Sequence, residues 1–311
     1  MSSFRAAYLE LHDQGELRGR TESALARLAS CDLCPRECGV NRLQDERDFC
    51  ATGRRARVCS MGPHFGEEAP LVGRRGSGTI FFGGCNLSCS FCQNADISQL
   101  GSGEEVEAGE LSRMMLAVQR MGCHNLNLVT PTHVAAQVLE ALALAVEDGL
   151  EIPIVYNCGG YESQRTLQLL DGVVDIYMPD FKYVDEEPAG RLSGAADYPE
   201  VARAALTEMQ RQVGQLTWDE QGVARRGLLV RHLVLPDELA GTAAAMRFLA
   251  EQISSETYVN VMDQYRPCHR MVGDPTMGRR ITADEYAAAV QSALDAGLTR
   301  LDDRVRFRRS W

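Results

Sequence analysis

The 311-residue chain lacks any uninterrupted apolar stretch long enough to cross a membrane, so no transmembrane helix is expected. Its start, Met1-Ser-Ser-Phe-Arg-Ala-Ala-Tyr-Leu-Glu10, lacks the apolar core of a secretory signal. It also lacks a basic balance. A net charge of -11 argues against a broad nucleic-acid surface. The one basic cluster, Arg304, Arg306, Arg308 and Arg309, closes the chain and reads as a solvated tail over residues 301–311. No short-period repeat and no low-complexity segment is present. With no export signal, the eleven cysteines read as metal ligands and free thiols rather than a disulfide framework. A cytoplasmic, reducing and oxygen-poor setting follows as the expectation.

What the chain does have is enough apolar matter, 45% of its residues, to bury one large core or two modest ones. Residues 1–30 read as a helical lead-in with Ala24, Leu25 and Leu28 as an apolar stripe. Residues 31–75 are rich in Cys, Arg and Gly and poor in periodicity, which predicts a small domain ordered by metal. From residue 76 to about 300, strand patterns at 79–83, 125–130, 152–156, 173–178, 227–234 and 257–262 alternate with helix patterns. The helices are expected at 109–121, 134–148, 163–170, 197–214, 240–252 and 282–296. Thr282, with Glu285 three residues on, marks the start of the last one. Strands alternating with helices imply an α/β fold with a parallel sheet and crossover helices. Ligands then gather at the carboxyl ends of the strands.

The first predicted strand runs directly into Gly83-Gly-Cys-Asn-Leu-Ser-Cys-Ser-Phe-Cys-Gln-Asn94. Cys85, Cys89 and Cys92 are spaced Cys-x3-Cys-x2-Cys. Three thiolates can hold three irons of a [4Fe-4S] cluster and leave the fourth open to a ligand; zinc is the competing occupant. Gln93 has no thiol, so no adjacent fourth cysteine closes that iron, and Leu87 and Phe91 are placed to shield the site. A second group, Cys31-x2-Cys34-x3-Cys38 with Cys50, supplies four thiolates for zinc or an iron–sulfur cluster. Cys59 is the spare thiol, and His64 is a further candidate ligand.

The other strand ends carry polar residues. Asn157-Cys158-Gly159-Gly160 follows the third strand, and its glycines allow close approach of a ligand. Asp180 and Lys182 follow the fourth and point the same way on an extended backbone. The fifth strand contains Arg231-His232. The sixth contains Asn260 and exits through Gln264, Tyr265 and Arg266, where substrate would sit, followed by Cys268 and His269 as weaker metal candidates.

The triplet Cys85, Cys89 and Cys92 resembles that of the radical S-adenosylmethionine superfamily. The phrases Gly76-Ser-Gly-Thr-Ile-Phe-Phe-Gly-Gly-Cys85 and Tyr258-Val-Asn-Val-Met-Asp-Gln-Tyr-Arg266 are similar to the PflX-like branch, related to pyruvate formate-lyase activating enzyme. The resemblance runs from about Cys31 to about Gly297. It implies a partial (β/α)6 TIM-like barrel, a [4Fe-4S] cluster and S-adenosylmethionine (SAM). It also implies a reductant such as flavodoxin or ferredoxin, and reductive cleavage of SAM to a 5′-deoxyadenosyl radical that abstracts hydrogen. The superfamily's usual Gly-Gly-Glu-like segment for the methionine amine is absent. Val129-Thr-Pro-Thr-His133 stands there, with Thr130, Thr132 and His133 as polar substitutes. Asp180-Phe-Lys182 resembles an Asp-x-Lys motif that lies against SAM, and His232 resembles a cofactor-contacting histidine. Asn157 completes the expected cofactor set. The resemblance makes a glycyl-radical enzyme one expected substrate. Another macromolecule or a small molecule is a second, and a non-catalytic iron–sulfur or zinc scaffold is the reading from a different class.

Overall fold

A computed structural model describes residues 4–302. The basic cluster Arg304, Arg306, Arg308 and Arg309 lies outside the described residues. The described chain is a mixed α/β fold built on one nine-stranded sheet. In chain order the strands are β1 (Ala56–His64), β2 (Ser77–Phe82), β3 (Glu104–Val106), β4 (Leu126–Val129), β5 (Ile154–Cys158), β6 (Ile176–Pro179), β7 (Thr217–Trp218), β8 (Ala224–Leu233) and β9 (Tyr258–Met262). Strands β2, β4, β5, β6, β8 and β9 pair in parallel in that order. These are the six strands the alternating pattern predicts. Strand β1 pairs antiparallel with both β2 and β3, and β7 pairs antiparallel with the start of β8.

The sequence pattern missed β1, β3 and β7. Strand β1 carries Cys59, Gly62 and Pro63 and has no clean alternation, so its pairing along β2 is decided by tertiary contact rather than by propensity. It belongs by position to the Cys-rich stretch, yet it adds to the main sheet. The predicted helices are present at Ala108–Arg120, Ala135–Glu147, Gln164–Leu170, Tyr198–Val213, Thr242–Phe248 and Ala283–Asp295. An unpredicted helix at Glu186–Ser193 precedes the fourth of these. The last helix starts with a complete capping box: the Thr282 hydroxyl accepts from Glu285 N–H, and the Glu285 carboxylate accepts from Thr282 N–H.

Alternation along the strands divides the core into two layers. Tyr156, Tyr177, Leu228, Val230, Val259 and Val261 face the helices. Val155, Ile176, Met178, Leu229 and Tyr258 face the other way and pack together with Leu71, Leu216 and Ala224. The lead-in helix Glu16–Ala26 packs on helix Ala135–Glu147, with buried Ala24 and Thr21; the Thr21 hydroxyl hydrogen-bonds Leu139 O at 3.3 Å. The strand face carrying Met178 and Leu229 continues into the polar residues at the carboxyl ends of β5, β6, β8 and β9.

Candidate functional site

The loop after β2 holds the cysteine triplet half-buried. Gly84, at φ 86°, makes the turn into it, and a Cβ there would meet Cys50 O at 2.5 Å. Each thiol has a polar neighbour. Leu87 N–H donates to Cys85 Sγ (3.3 Å), the Ser193 hydroxyl donates to Cys89 Sγ (3.0 Å), and Cys92 Sγ lies 3.2 Å from Ser98 Oγ. Burial and the neighbouring thiols of Cys89 and Cys92 push the Cys85 thiol up to about 12, although Leu87 N–H and Lys182 pull the other way. Burial also raises Cys89, against the pull of Lys182 and Ser193. A metal is what makes thiolates stable in such surroundings, because binding it releases the protons. Leu87 and Phe91 are buried as expected; Phe91 packs edge-on against Tyr183 and Tyr265. Gln93 is exposed and brings no thiol to the loop.

The carboxyl ends of β5, β6 and β8 converge on one ion network. Asp180 accepts from Lys182 Nζ (2.6 Å) and from Arg231 Nε (2.8 Å), and Arg231 Nη2 donates to Asn157 Oδ1 (2.7 Å). Arg231 Nη1 stands 3.9 Å from Glu67, and Asn260 donates to Glu68 at 2.8 Å. Burial opposes the charge of Asp180, but Arg231 and Lys182 outweigh it and hold the carboxyl below its ordinary value. Burial likewise opposes Lys182, and Asp180 with the nearby Cys89 outweighs it. Glu67 and Glu68 add their carboxylates to that of Asp180 around Arg231, while Lys182 pairs with Asp180. Tyr198 clamps the two strand ends: its single O–H is shared between Asp180 O (2.7 Å) and Gly159 O (2.9 Å), and its oxygen accepts from Lys182 N–H (2.9 Å).

Several expectations change here. His232 is fully buried on the opposite side of β8 from Arg231. Its ring nitrogens are taken by Phe181 O (2.7 Å) and Thr242 Oγ1 (2.9 Å), so it is a satisfied core histidine and not a cofactor contact. Burial lowers it to about 4, which keeps it neutral. The physical reason is the two-residue period of a strand. Once Asp180 faces the site, its bridge partner Arg231 faces it too, and His232 must face away. Arg231 and Tyr198 are the members that sequence reasoning missed; the alternation of β8 was the available signal for Arg231. Gly160 serves the protein rather than a ligand: at φ 80°, a Cβ there would meet Asp180 O at 2.3 Å. Tyr265 is buried, with its hydroxyl donating to Met277 O at 2.6 Å, so its hydroxyl does not face a substrate. Cys158 is a buried thiol beside Glu162.

Thr130 sits at the end of β4 with φ 61°, a left-handed backbone rare outside glycine, and its N–H donates to Asn157 O at 2.8 Å. Thr132 turns away and bonds buried Glu162 at 2.6 Å. Gln264 and Arg266 are exposed and line, with Gln93, Asp263 and Arg280, a groove of about 1020 Å³ beyond β9. His269 has φ 50° and a buried Nε2 without a hydrogen-bond partner; the next residue, Arg270, donates to Ser90 O inside the triplet loop.

The second group is also gathered. Cys31, Cys34, Cys38 and Cys50 line one small cavity with Arg36, Arg42, Phe49 and His133. Burial pushes Cys34 up to about 12, with Cys50 and Cys31 adding to the effect. Cys59 stands apart on β1, 3.1 Å from Ser102 O, and His64 packs edge-on against Phe81. Among the described residues no three Cys, His, Asp or Glu side chains converge tightly enough for a single metal ion. Four ligands on one zinc stand about 3.8 Å apart, as tetrahedral Zn–S bonds of about 2.3 Å require. Thiols on the separate irons of a cluster stand wider.

The sequence profile of the radical SAM superfamily matches residues 79–215, which span the triplet, the Asp180–Lys182 pair and strands β2 to β6. An uncharacterized protein of Methanocaldococcus jannaschii is 32% identical over 274 residues, covering 85% of this chain and 74% of that protein. The chain belongs to the radical SAM superfamily. A pyruvate formate-lyase-activating enzyme of Clostridium pasteurianum is 31% identical over 140 residues, 42% of this chain and 56% of that enzyme. Radical SAM membership supports an enzyme and implies a [4Fe-4S] cluster, SAM and a reductant. No helix among the described residues is long and apolar enough to cross a membrane.

Proposed function

We propose that Cys85, Cys89 and Cys92 ligate the [4Fe-4S] cluster and that Asn157, Asp180, Lys182 and Arg231 hold SAM against it. The observation that carries this reading is the convergence of those four polar residues at parallel strand ends, with Lys182 within electrostatic reach of Cys89. When bound, the cluster supplies one electron for cleavage of SAM, whose adenosyl fragment abstracts hydrogen from the substrate. The chain's own residues supply binding and orientation. Lys182 and Arg231 present N–H donors to a carboxylate, and Asp180 accepts from a ribose hydroxyl or an ammonium. The strained backbone at Thr130 brings a polar side chain to the end of β4, next to Asn157. Leu87 and Phe91 exclude water from the triplet loop.

In this reading the parallel strands form a partial (β/α)6 barrel. Residues 1–75 form the lead-in and Cys-rich metal segment, and the chain falls in the PflX-like branch. The groove beside Gln93 and Arg266 receives the substrate. Its volume, about 1020 Å³, lies at the upper end for small-molecule sites and suits a segment of a protein. Kinship with a pyruvate formate-lyase-activating enzyme supports a glycyl-radical partner as that protein. Reduced enzyme, SAM and a candidate partner frozen together should give an oxygen-sensitive backbone radical by electron paramagnetic resonance (EPR). Cleavage of SAM without any such radical, across the glycyl-radical enzymes of the same cell, would move the substrate to another macromolecule or a small molecule.

A further inference from the structure

The cavity lined by Cys31, Cys34, Cys38 and Cys50 contains buried polar atoms that the protein leaves unanswered. Arg36 Nη2, Arg42 Nη2 and His133 Nδ1 are all buried without a hydrogen-bond partner, and all three residues line it. Arg42 is 1% exposed, about as deeply buried as an arginine can be. Its other nitrogens are committed: Nε donates to Gly53 O (3.0 Å), and Nη1 donates to His133 O (2.7 Å) and lies 3.7 Å from Cys31 Sγ. A guanidinium can only donate, and an unmade bond to a buried charged group is expensive. Two such groups beside four thiols call for a compact anion rich in acceptors.

We propose that Cys31, Cys34, Cys38 and Cys50 hold a second iron–sulfur cluster rather than zinc, and that Arg36 and Arg42 donate to its sulfurs and raise its reduction potential. The inference rests on the reading of these four cysteines as a metal site. The four thiols share one cavity with both unpartnered guanidinium groups. Inorganic sulfides supply acceptors beyond the four thiolates, and the two guanidinium groups need them. Positive charge and N–H donors both favour the reduced, more negative cluster.

The same two elements tie this cavity to the first site. Arg36 Nε donates to Asn86 O (3.0 Å), the carbonyl next to Cys85, and its Nη1 donates to Gly194 O (2.7 Å), next to the Ser193 that serves Cys89. His133 Nε2 meets Gly83 O at 2.8 Å, two residues before Cys85. These contacts join the lining of the second cavity to the loop of the first. Stacking of the Arg36 guanidinium 3.8 Å over the Phe49 ring holds that side chain between the two sites.

The test uses the full chain with Cys85, Cys89 and Cys92 all changed to Ala, so that only the second group remains. After anaerobic incubation with ferrous iron, sulfide and zinc together, iron, acid-labile sulfide and zinc are counted, and the dithionite-reduced protein is examined by EPR. Iron and sulfide in matched amounts, with a signal lost in Cys34→Ser, are expected. Zinc without sulfide would overturn this inference and leave the metal reading standing; neither metal would sink that reading itself. Mössbauer spectra of the wild-type chain give an independent count, two clusters against one, should the triple variant not fold. In the reduced protein Arg36→Gln should shift the potential of the second cluster to more negative values, and Arg36→Lys should restore part of the shift. An unchanged potential in Arg36→Gln would remove the tuning role.

Discussion

Arg231 and His232 are neighbours in sequence with opposite fates. Arg231 bonds Asp180 and Asn157 at the proposed SAM site; His232 is locked between Phe181 O and Thr242 on the far side of the strand. Charge-assisted hydrogen bonds are worth about 1.5–3 kcal/mol, so Arg231→Met should weaken SAM binding about ten- to hundredfold. His232→Leu leaves two buried polar partners unpaired and should cost about 1–3 kcal/mol of stability with SAM affinity unchanged. Calorimetric titration and urea unfolding of both variants check the split; equal effects on affinity would contradict it. A second buried group acts at the other end of the sheet. Asp175 accepts from Ala7 N–H (2.8 Å) and Ile154 N–H (2.9 Å), and burial raises it to about 7 despite those bonds. The folded protein thus holds this proton more tightly than the unfolded chain. The stabilisation is complete below the ordinary aspartate value of about 3.9 and is lost as pH rises through about 7. Asp175→Asn should flatten the fall in urea midpoint between about pH 4 and 7; an unchanged slope would assign it elsewhere.

At the scale of elements, the six parallel strands were legible because each is a buried apolar run set between helix patterns. Strands β1, β3 and β7 were not. They pair antiparallel at the sheet's borders, with β3 and β7 only three and two residues long, so neither burial nor period marks them. The candidate site was legible in part. Cysteine spacing and the Asp180–Lys182 pair are local signals. Tyr198 lies on a helix sixteen residues beyond Lys182 and joins the site only through folding. The last helix is legible to its cap. Thr282→Ala removes the hydroxyl that accepts from Glu285 N–H at 3.1 Å and should cost about 1 kcal/mol of stability. SAM binding should be unaffected, since the cap stands away from the Asp180 network; a combined loss would mean that this helix takes part in shaping the site.

Over the whole molecule, two cysteine groups lie on either side of the Gly83-Gly84 turn, and the parallel strands bring a charged network to the first of them. The second group and the antiparallel β1 brace that turn: His133 bonds Gly83 O, and Gly83 N–H donates to Arg57 O at 2.8 Å. A scaffold would need four-cysteine sites but no paired Asp180, Lys182 and Arg231 at strand ends. The measurement that bears most directly on the central claim is therefore a product assay. Anaerobically reconstituted protein, given dithionite and SAM, should release 5′-deoxyadenosine and methionine, and Cys89→Ala should release neither. No 5′-deoxyadenosine from fully loaded wild-type protein, or equal release from the Cys89→Ala variant, would contradict the assignment of Cys85, Cys89 and Cys92 as the reactive cluster.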